Sequence, residues 1–404
     1  MRHEIDWSAM ASRWAVGAAL VLLGGCAIVL DFNGYGPEAA GAGGAGGAGG
    51  AGGAGGAGGA GGAGGAGGAG GTGGTEECAP DDPESCPCGV SCLGGACLGG
   101  VCQPVQLVEA NGPATLRHLA LDADTIYWTR DGSIFKLPKS TGAPGTPEEI
   151  VPSSYEADFL VADGGNVYFT TNMDQVMKRD AISLEISVLA ADQQVPVGLA
   201  LRGGDLYWAT YLEGSVRTVS TSGANLMVLA TGQLFPFYVA LDEQDVFWTV
   251  RGAGDMGGVM KLGGMTIVAV NQNAPSGLAV DETNAYWINF DGSVRTALKA
   301  GGIASVEIAP SEGPGAIFAG EVVVDDTHVY WTGAGTETCG TGPPCACVAP
   351  CGKVWRAPKD GPGAPEIFAQ GDWNTLWGLA MDSAAVYWTT GKDARLFRKA
   401  KQPF

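Results

Sequence analysis

The sequence predicts an all-β protein built around a seven-bladed β-propeller, and three observations carry that expectation. The first is a repeat. A small apolar run, a turn and a second run closed by an aromatic pair recur as HLALDADTIYWT (118–129), FLVADGGNVYFT (159–170), GLALRGGDLYWA (198–209), YVALDEQDVFWT (238–249), GLAVDETNAYWI (277–288), EVVVDDTHVYWT (321–332) and GLAMDSAAVYWT (378–389). The second is the spacing. The second aromatics Trp128, Phe169, Trp208, Trp248, Trp287, Trp331 and Trp388 stand 39 to 44 residues apart, except for a final step of 57. Short alternating strands at a period of about forty residues are the signature of propeller blades. The third lies at the ends. The seventh repeat stops after Arg395–Lys399, while a strand-like run, Val105–Ala110, precedes the first repeat. That run is expected to supply the fourth strand of blade seven and close the ring, removing an exposed sheet edge.

Within each repeat the apolar run is strand one and the aromatic run is strand two. Strand three is glycine-led and alternating, as in Gly132–Lys136, Gly214–Arg217 and Gly292–Arg295, and strand four is a short apolar run such as Met227–Leu229 or Glu366–Phe368. Alternation with β-branched and aromatic residues, punctuated by Gly, Asp and Asn, favours strands over helix. The repeated Asp that ends strand one (Asp122, Asp163, Asp242, Asp281, Asp325, Asp382) is expected to open a tight turn by accepting backbone N–H groups, rather than to bind calcium.

The run Leu-x-Leu-Asp-x-x-x-Ile-Tyr-Trp-Thr followed by Gly-Ser-Val-x-Arg, over residues 104–404, resembles the YWTD repeats of low-density-lipoprotein-receptor propellers and their bacterial relatives. Two features depart from that pattern: the Asp after Tyr-Trp-Thr is absent (Arg130 and Gly333 stand there), and the receptor domains have six blades. The resemblance therefore implies the fold and leaves partners open.

The N-terminus has its own organisation. Arg2 and Arg13 precede an apolar stretch, Trp14–Leu23, and then Leu23-Gly24-Gly25-Cys26. This order resembles a bacterial lipoprotein signal, with residues 1–25 cleaved and Cys26 lipidated. An uncleaved helix of about seventeen residues is the alternative, and either reading places the remainder outside the cytoplasm. Ala27 beside the lipidated cysteine implies delivery to the outer membrane, by the same resemblance. Residues 27–75 form a linker whose Gly-Gly-Ala portion, from Gly41, is a flexible coil with a reach of about 30–35 Å. The membrane is thus contacted through the lipid anchor alone.

Of eleven cysteines, six lie in a small module at 76–103 (Cys78, Cys86, Cys88, Cys92, Cys97, Cys102) and four in blade six (Cys339, Cys345, Cys347, Cys351). Each cluster is even-numbered and local, so each is expected to close by disulfides in an oxidising compartment, with connectivity open. The same thiolates could bind metal, but no histidine accompanies them, and neither metal nor cofactor is expected. A net charge of −20, from 22 basic and 42 acidic residues, disfavours nucleic acid. A monomer is expected.

Function is expected on the face that carries the strand four-to-one and two-to-three loops. It holds a Cys-rich insertion at 334–352, a longer loop at Arg251–Gly258, and the aromatics Tyr155, Phe235, Phe237, Trp373 and Trp377 beside Arg117. Aromatics beside hydrogen-bonding groups suit sugar rings or protein hot spots, so the ligand is expected to be a glycan or a protein. The residue entering strand one lies at the channel mouth: Gly198, Gly277 and Gly378 in three blades, His118, Phe159, Tyr238 and Glu321 in four. Two functions follow. The first is an envelope lipoprotein presenting the propeller as a binding module without catalysis. The alternative is an extracytoplasmic lyase or hydrolase whose acid–base pair is His118 and Glu321.

Overall fold

The computed structural model describes residues 92–98, 101–109, 114–140, 144–253, 256–263, 266–302, 304–310, 320–333, 352–359, 364–371, 373, 376–391 and 394–401. All belong to one compact unit, Thr72–Phe404. Cys26, the 1–25 leader, the Gly/Ala linker, Cys78, Cys86, Cys88 and the blade-six cysteines lie outside the described residues. Among those described there is no α-helix, and no helix long and apolar enough to cross a membrane.

Seven four-stranded antiparallel sheets form the propeller. Blade one is Leu116–Leu121, Thr125–Arg130, Ser133–Pro138 and Glu148–Val151, and blades two to six repeat that order. Blade seven is Leu376–Met381, Ala385–Thr390 and Leu396–Ala400, completed by Val105–Val108 from the start of the domain. The split blade anticipated from the truncated repeat is therefore present.

The aromatic pairs explain why the blades pack. Successive residues on a strand point to opposite faces, so the two rings of a pair serve different seams. Trp128 of blade one clusters with Tyr387 of blade seven, Phe169 with Tyr127, and Trp208 with Tyr168. Trp287 clusters with Phe247, Trp331 with Tyr286, and Trp388 with Tyr330. The second aromatic of each blade thus meets the first aromatic of the blade before it.

On the face opposite the mouth, the strand-one aspartates of blades four to seven open turns as expected. Asp281 Oδ1 accepts from the Thr283 and Asn284 amides, and Asp325 Oδ1 from those of Thr327 and His328. The second oxygen reaches the next blade: Asp242 to Lys299 at 2.6 Å, Asp281 to Lys359 at 2.8 Å, Asp325 to Lys401 at 3.2 Å and Asp382 to Lys139 at 3.0 Å. In blade three Arg202 replaces the Asp. It still crosses the seam, donating to the Asp242 and Asp245 carbonyls.

The cysteine module is not a free spacer where it is described. Cys92 and Cys102 form a disulfide, both pack with Ala400 of blade seven, and Arg398 donates to the Leu93 carbonyl at 2.6 Å.

Candidate functional site at the channel mouth

Strand one of most blades carries a β-bulge, and the bulge builds the mouth. In blade one Leu116 pairs with Arg130 but Leu119 pairs with Trp128, leaving Arg117 and His118 out of register. The same slip frees Asp158 and Phe159, Phe237 and Tyr238, and Trp377 and Gly378. A bulge re-aims its side chains, here toward the channel and its rim.

The amides of the residues entering strand one find a partner in the threonine that follows the aromatic pair. His118 donates to Thr129 Oγ1 at 3.1 Å, Phe159 to Thr170 at 3.1 Å, Tyr238 to Thr249 at 3.0 Å, Glu321 to Thr332 at 3.2 Å and Gly378 to Thr389 at 2.8 Å. Two of these hydroxyls then donate across a seam, Thr249 to the Ser276 carbonyl and Thr389 to the Arg117 carbonyl. The threonine was visible as part of the repeat, yet its role required knowing that strand one is bulged.

At the centre His118 Nδ1 lies 2.9 Å from Glu321 Oε1, and His118 Nε2 lies 3.5 Å from Asp158 Oδ1. The imidazole stacks on Phe159 with ring centroids 3.7 Å apart. Glu321 also accepts the Leu379 amide at 2.6 Å and a hydrogen bond from Tyr238. The Tyr238 ring is partly exposed, but its hydroxyl is buried. Burial first, then the Glu321 charge and hydrogen bond, push that hydroxyl well above the ordinary tyrosine range. Groups from blades one, two, four and six thus meet across the channel.

Glycine makes this convergence fit. A Cβ on Gly198 would stand 2.3 Å from the Phe237 carbonyl oxygen, and one on Gly378 would stand 2.3 Å from that of Arg117. Each glycine therefore lets the bulky strand of the next blade approach the axis.

The rim is aromatic and cationic. Arg117 lies 5.2 Å from the ring centre of half-buried Trp377. Across the mouth Arg251 lies 3.6 Å from that of Phe237, and Tyr211 stacks on Phe235 at 5.1 Å. Tyr155 is partly buried and edge-on to Phe169. Trp373 corrects the expectation that it is exposed. It is 3% accessible and wedged against Trp388 and Phe397, so it belongs to the packing of blade seven. A tryptophan in a short loop looks the same in sequence whether it faces water or folds back into a seam. Tyr211, which follows strand two of blade three, was missed because no repeat marks it. Among the described residues, no three His, Cys, Asp or Glu side chains are grouped as a metal site.

No family model matches this sequence, and no curated protein matches it. Solved structures are similar in fold. A catalytically inactive variant of virginiamycin B lyase from Staphylococcus aureus with quinupristin is 11% identical, with a TM-score of 0.59 over 74% of this chain and 99% of that one. YCF48 bound to D1 peptide is 12% identical, with a TM-score of 0.54 over 74% and 95%. The WD40 β-propeller domain of Doa1 is 10% identical, with a TM-score of 0.56 over 74% and 96%. At such identities these likenesses define the class, a β-propeller, and assign no activity.

Proposed function

We propose that this chain is a cell-envelope lipoprotein of YWTD-like repeat that holds its propeller away from the outer membrane and binds a glycan or protein at the channel mouth. The supporting observation is the rim itself: partly exposed Arg117, Trp377, Phe237 and Arg251 stand on bulged or strand-end backbone around the hydrogen-bonded His118–Glu321–Tyr238 group. Rigidly held aromatics beside hydrogen-bonding groups are how propeller-like scaffolds present a ligand surface without moving parts. The Gly/Ala linker supplies reach and the Cys26 anchor supplies attachment. Binding of cell-wall fragments and neutral glycans to the full chain, followed by thermal shift, tests the reading. Phe237→Ala and Trp377→Ala are each expected to weaken the bound ligand by about 2 kcal/mol, roughly thirtyfold. Unchanged affinity in both variants would remove the rim from the reading.

A second reading rests on the 2.9 Å contact between His118 and Glu321. With Nδ1 donating to the carboxylate, Nε2 faces the mouth beside Asp158 and can take a substrate proton as a general base. Two fold neighbours are lyases, virginiamycin B lyase and a streptogramin B lyase. If the chain turns over a substrate, His118→Ala is expected to abolish it, and a variant with full turnover would end this reading.

A further inference from the structure

We infer that the blade three–four sector of the rim is a carboxylate-binding site, with Arg251 as its anion receptor and an apolar shelf for the ligand body. This deepens the binding reading above and rests on it.

Arg251 is a guanidinium with no carboxylate partner among the described residues. Among the described residues no Asp or Glu forms an ion pair with it, and its Nε is buried without a hydrogen-bond partner. Other basic groups pair with acids, as in Lys136–Glu148, Arg217–Glu213, Lys261–Asp245 and Arg356–Glu366, or donate to backbone carbonyls, as Arg202, Arg398 and Lys399 do. Arg251 differs from these others in standing partly exposed at the rim with its guanidinium over an aromatic face, and in a chain of net charge −20 a cation so placed offers a site for an outside anion. Burial lowers the affinity of Arg251 for its proton, and the described residues oppose this only through the Tyr211 hydroxyl that it contacts. A cation partly shielded from water gains more from an incoming carboxylate than an open one, because charge-assisted, bidentate contacts strengthen where water is excluded.

The surroundings are built rather than incidental. The guanidinium sits over the face of Phe237, which leaves its edge donors available and restricts where they point. The Arg251 amide donates to the Phe235 carbonyl and the Gly252 amide to that of Leu234, which ties the two loops together. Phe235 is held at φ 58° and stacks on Tyr211. A left-handed aromatic residue is strained, and such strain concentrates at functional sites. Next to it, Leu212 and Leu234 are exposed at 58% and 47%. Cation, stacked aromatics and exposed leucines together fit an anion attached to an apolar or ring-bearing body, such as an acidic sugar or the C-terminus of an apolar peptide.

The test is calorimetric titration of the full chain with a galacturonate trisaccharide and with N-acetyl-phenylalanine, each beside its neutral methyl ester. The acid forms are expected to bind about tenfold or more tighter than their esters, the return expected for a hydrogen bond to a charged group. Arg251→Gln should erase that difference, and Arg251→Lys should restore part of it. Preference for the trisaccharide would assign the source as acidic glycan, and preference for the amino acid as a peptide terminus. Equal binding of acid and ester, binding unchanged in Arg251→Gln, or no binding by either acid would each overturn the inference. Neutral glycans that still require Phe237 and Trp377 would leave the broader binding reading intact.

Discussion

Thr389 occupies a point where two blades and the channel meet. Its hydroxyl accepts the Gly378 amide and donates to the Arg117 carbonyl, both at 2.8 Å. Replacing it with valine keeps the shape and strands both groups, so Thr389→Val is expected to cost about 1–3 kcal/mol in denaturant unfolding. Thr389→Ser should cost less, because the hydroxyl remains. Blades three and five show what the hydroxyl is for by doing without it. Ala209 and Ile288 stand at the equivalent place, and in blade five Ile288 extends the pairing through its own backbone, its amide donating to Gly277 and its carbonyl accepting from Ser276. The same residue scale separates Trp377 from Trp373. Both were grouped by sequence as loop aromatics, but one forms the rim and the other is core, because burial depends on which neighbour fills the space behind the ring. Trp373→Ala is therefore expected to lower thermal stability by about 3–5 kcal/mol, an effect that would obscure any ligand measurement made on it.

Between elements, the seams are where acid should act. Burial alone would raise the Asp325 carboxyl, but the Thr327 and His328 amides and the Lys401 ion pair hold it down, from the ordinary 3.8 to about 2. Asp242, Asp281 and Asp382 are lowered by the same combination of lysine and turn amides. A carboxylate whose folded-state value lies below its unfolded one stabilises fully above the unfolded value, and the contribution is lost as pH falls toward the folded one. The window for Asp325 is therefore about pH 4 to 2. Its contribution is about 1–2 kcal/mol once solvent screening is taken into account. Asp325→Asn keeps the turn acceptor and removes the charge, so its unfolding midpoint is expected to fall less steeply than the wild-type midpoint across that window. Equal slopes would show that the Lys401 pair contributes nothing to acid stability. The aspartates were legible as turn residues. Their lysine partners were not, since Lys299, Lys359, Lys401 and Lys139 lie 57 to 243 residues away, and only ring geometry makes them neighbours.

For the molecule as a whole, closure of the ring depends on Val105–Val108 pairing with Leu396–Ala400. The Cys92–Cys102 disulfide lies immediately before that strand, and Arg398 binds both Leu93 and the Lys139 carbonyl. The staple therefore limits how far the closing strand can separate from blade seven. Removing it with Cys92→Ser/Cys102→Ser is expected to cost about 2–3 kcal/mol. The Val105–Val108 amides should then exchange with deuterium faster than those of blades three and four. Uniform protection across all blades would mean that the staple does not guard the closure.

Chain-local regularities carried the architecture. The forty-residue period, the alternation within each strand, the aromatic pair and the truncated seventh repeat specify seven blades and the split closure, because each depends on neighbours a few residues apart or on a period that survives along the chain. The meeting of His118 with Glu321, the burial of Trp373, the Asp–Lys seams and the placing of Arg251 over Phe237 depend on distances across the ring. A one-residue bulge in strand one decides which side chains reach the channel, and whether a counterion stands near a given cation is set by the packing of three blades at once. No local pattern encodes either.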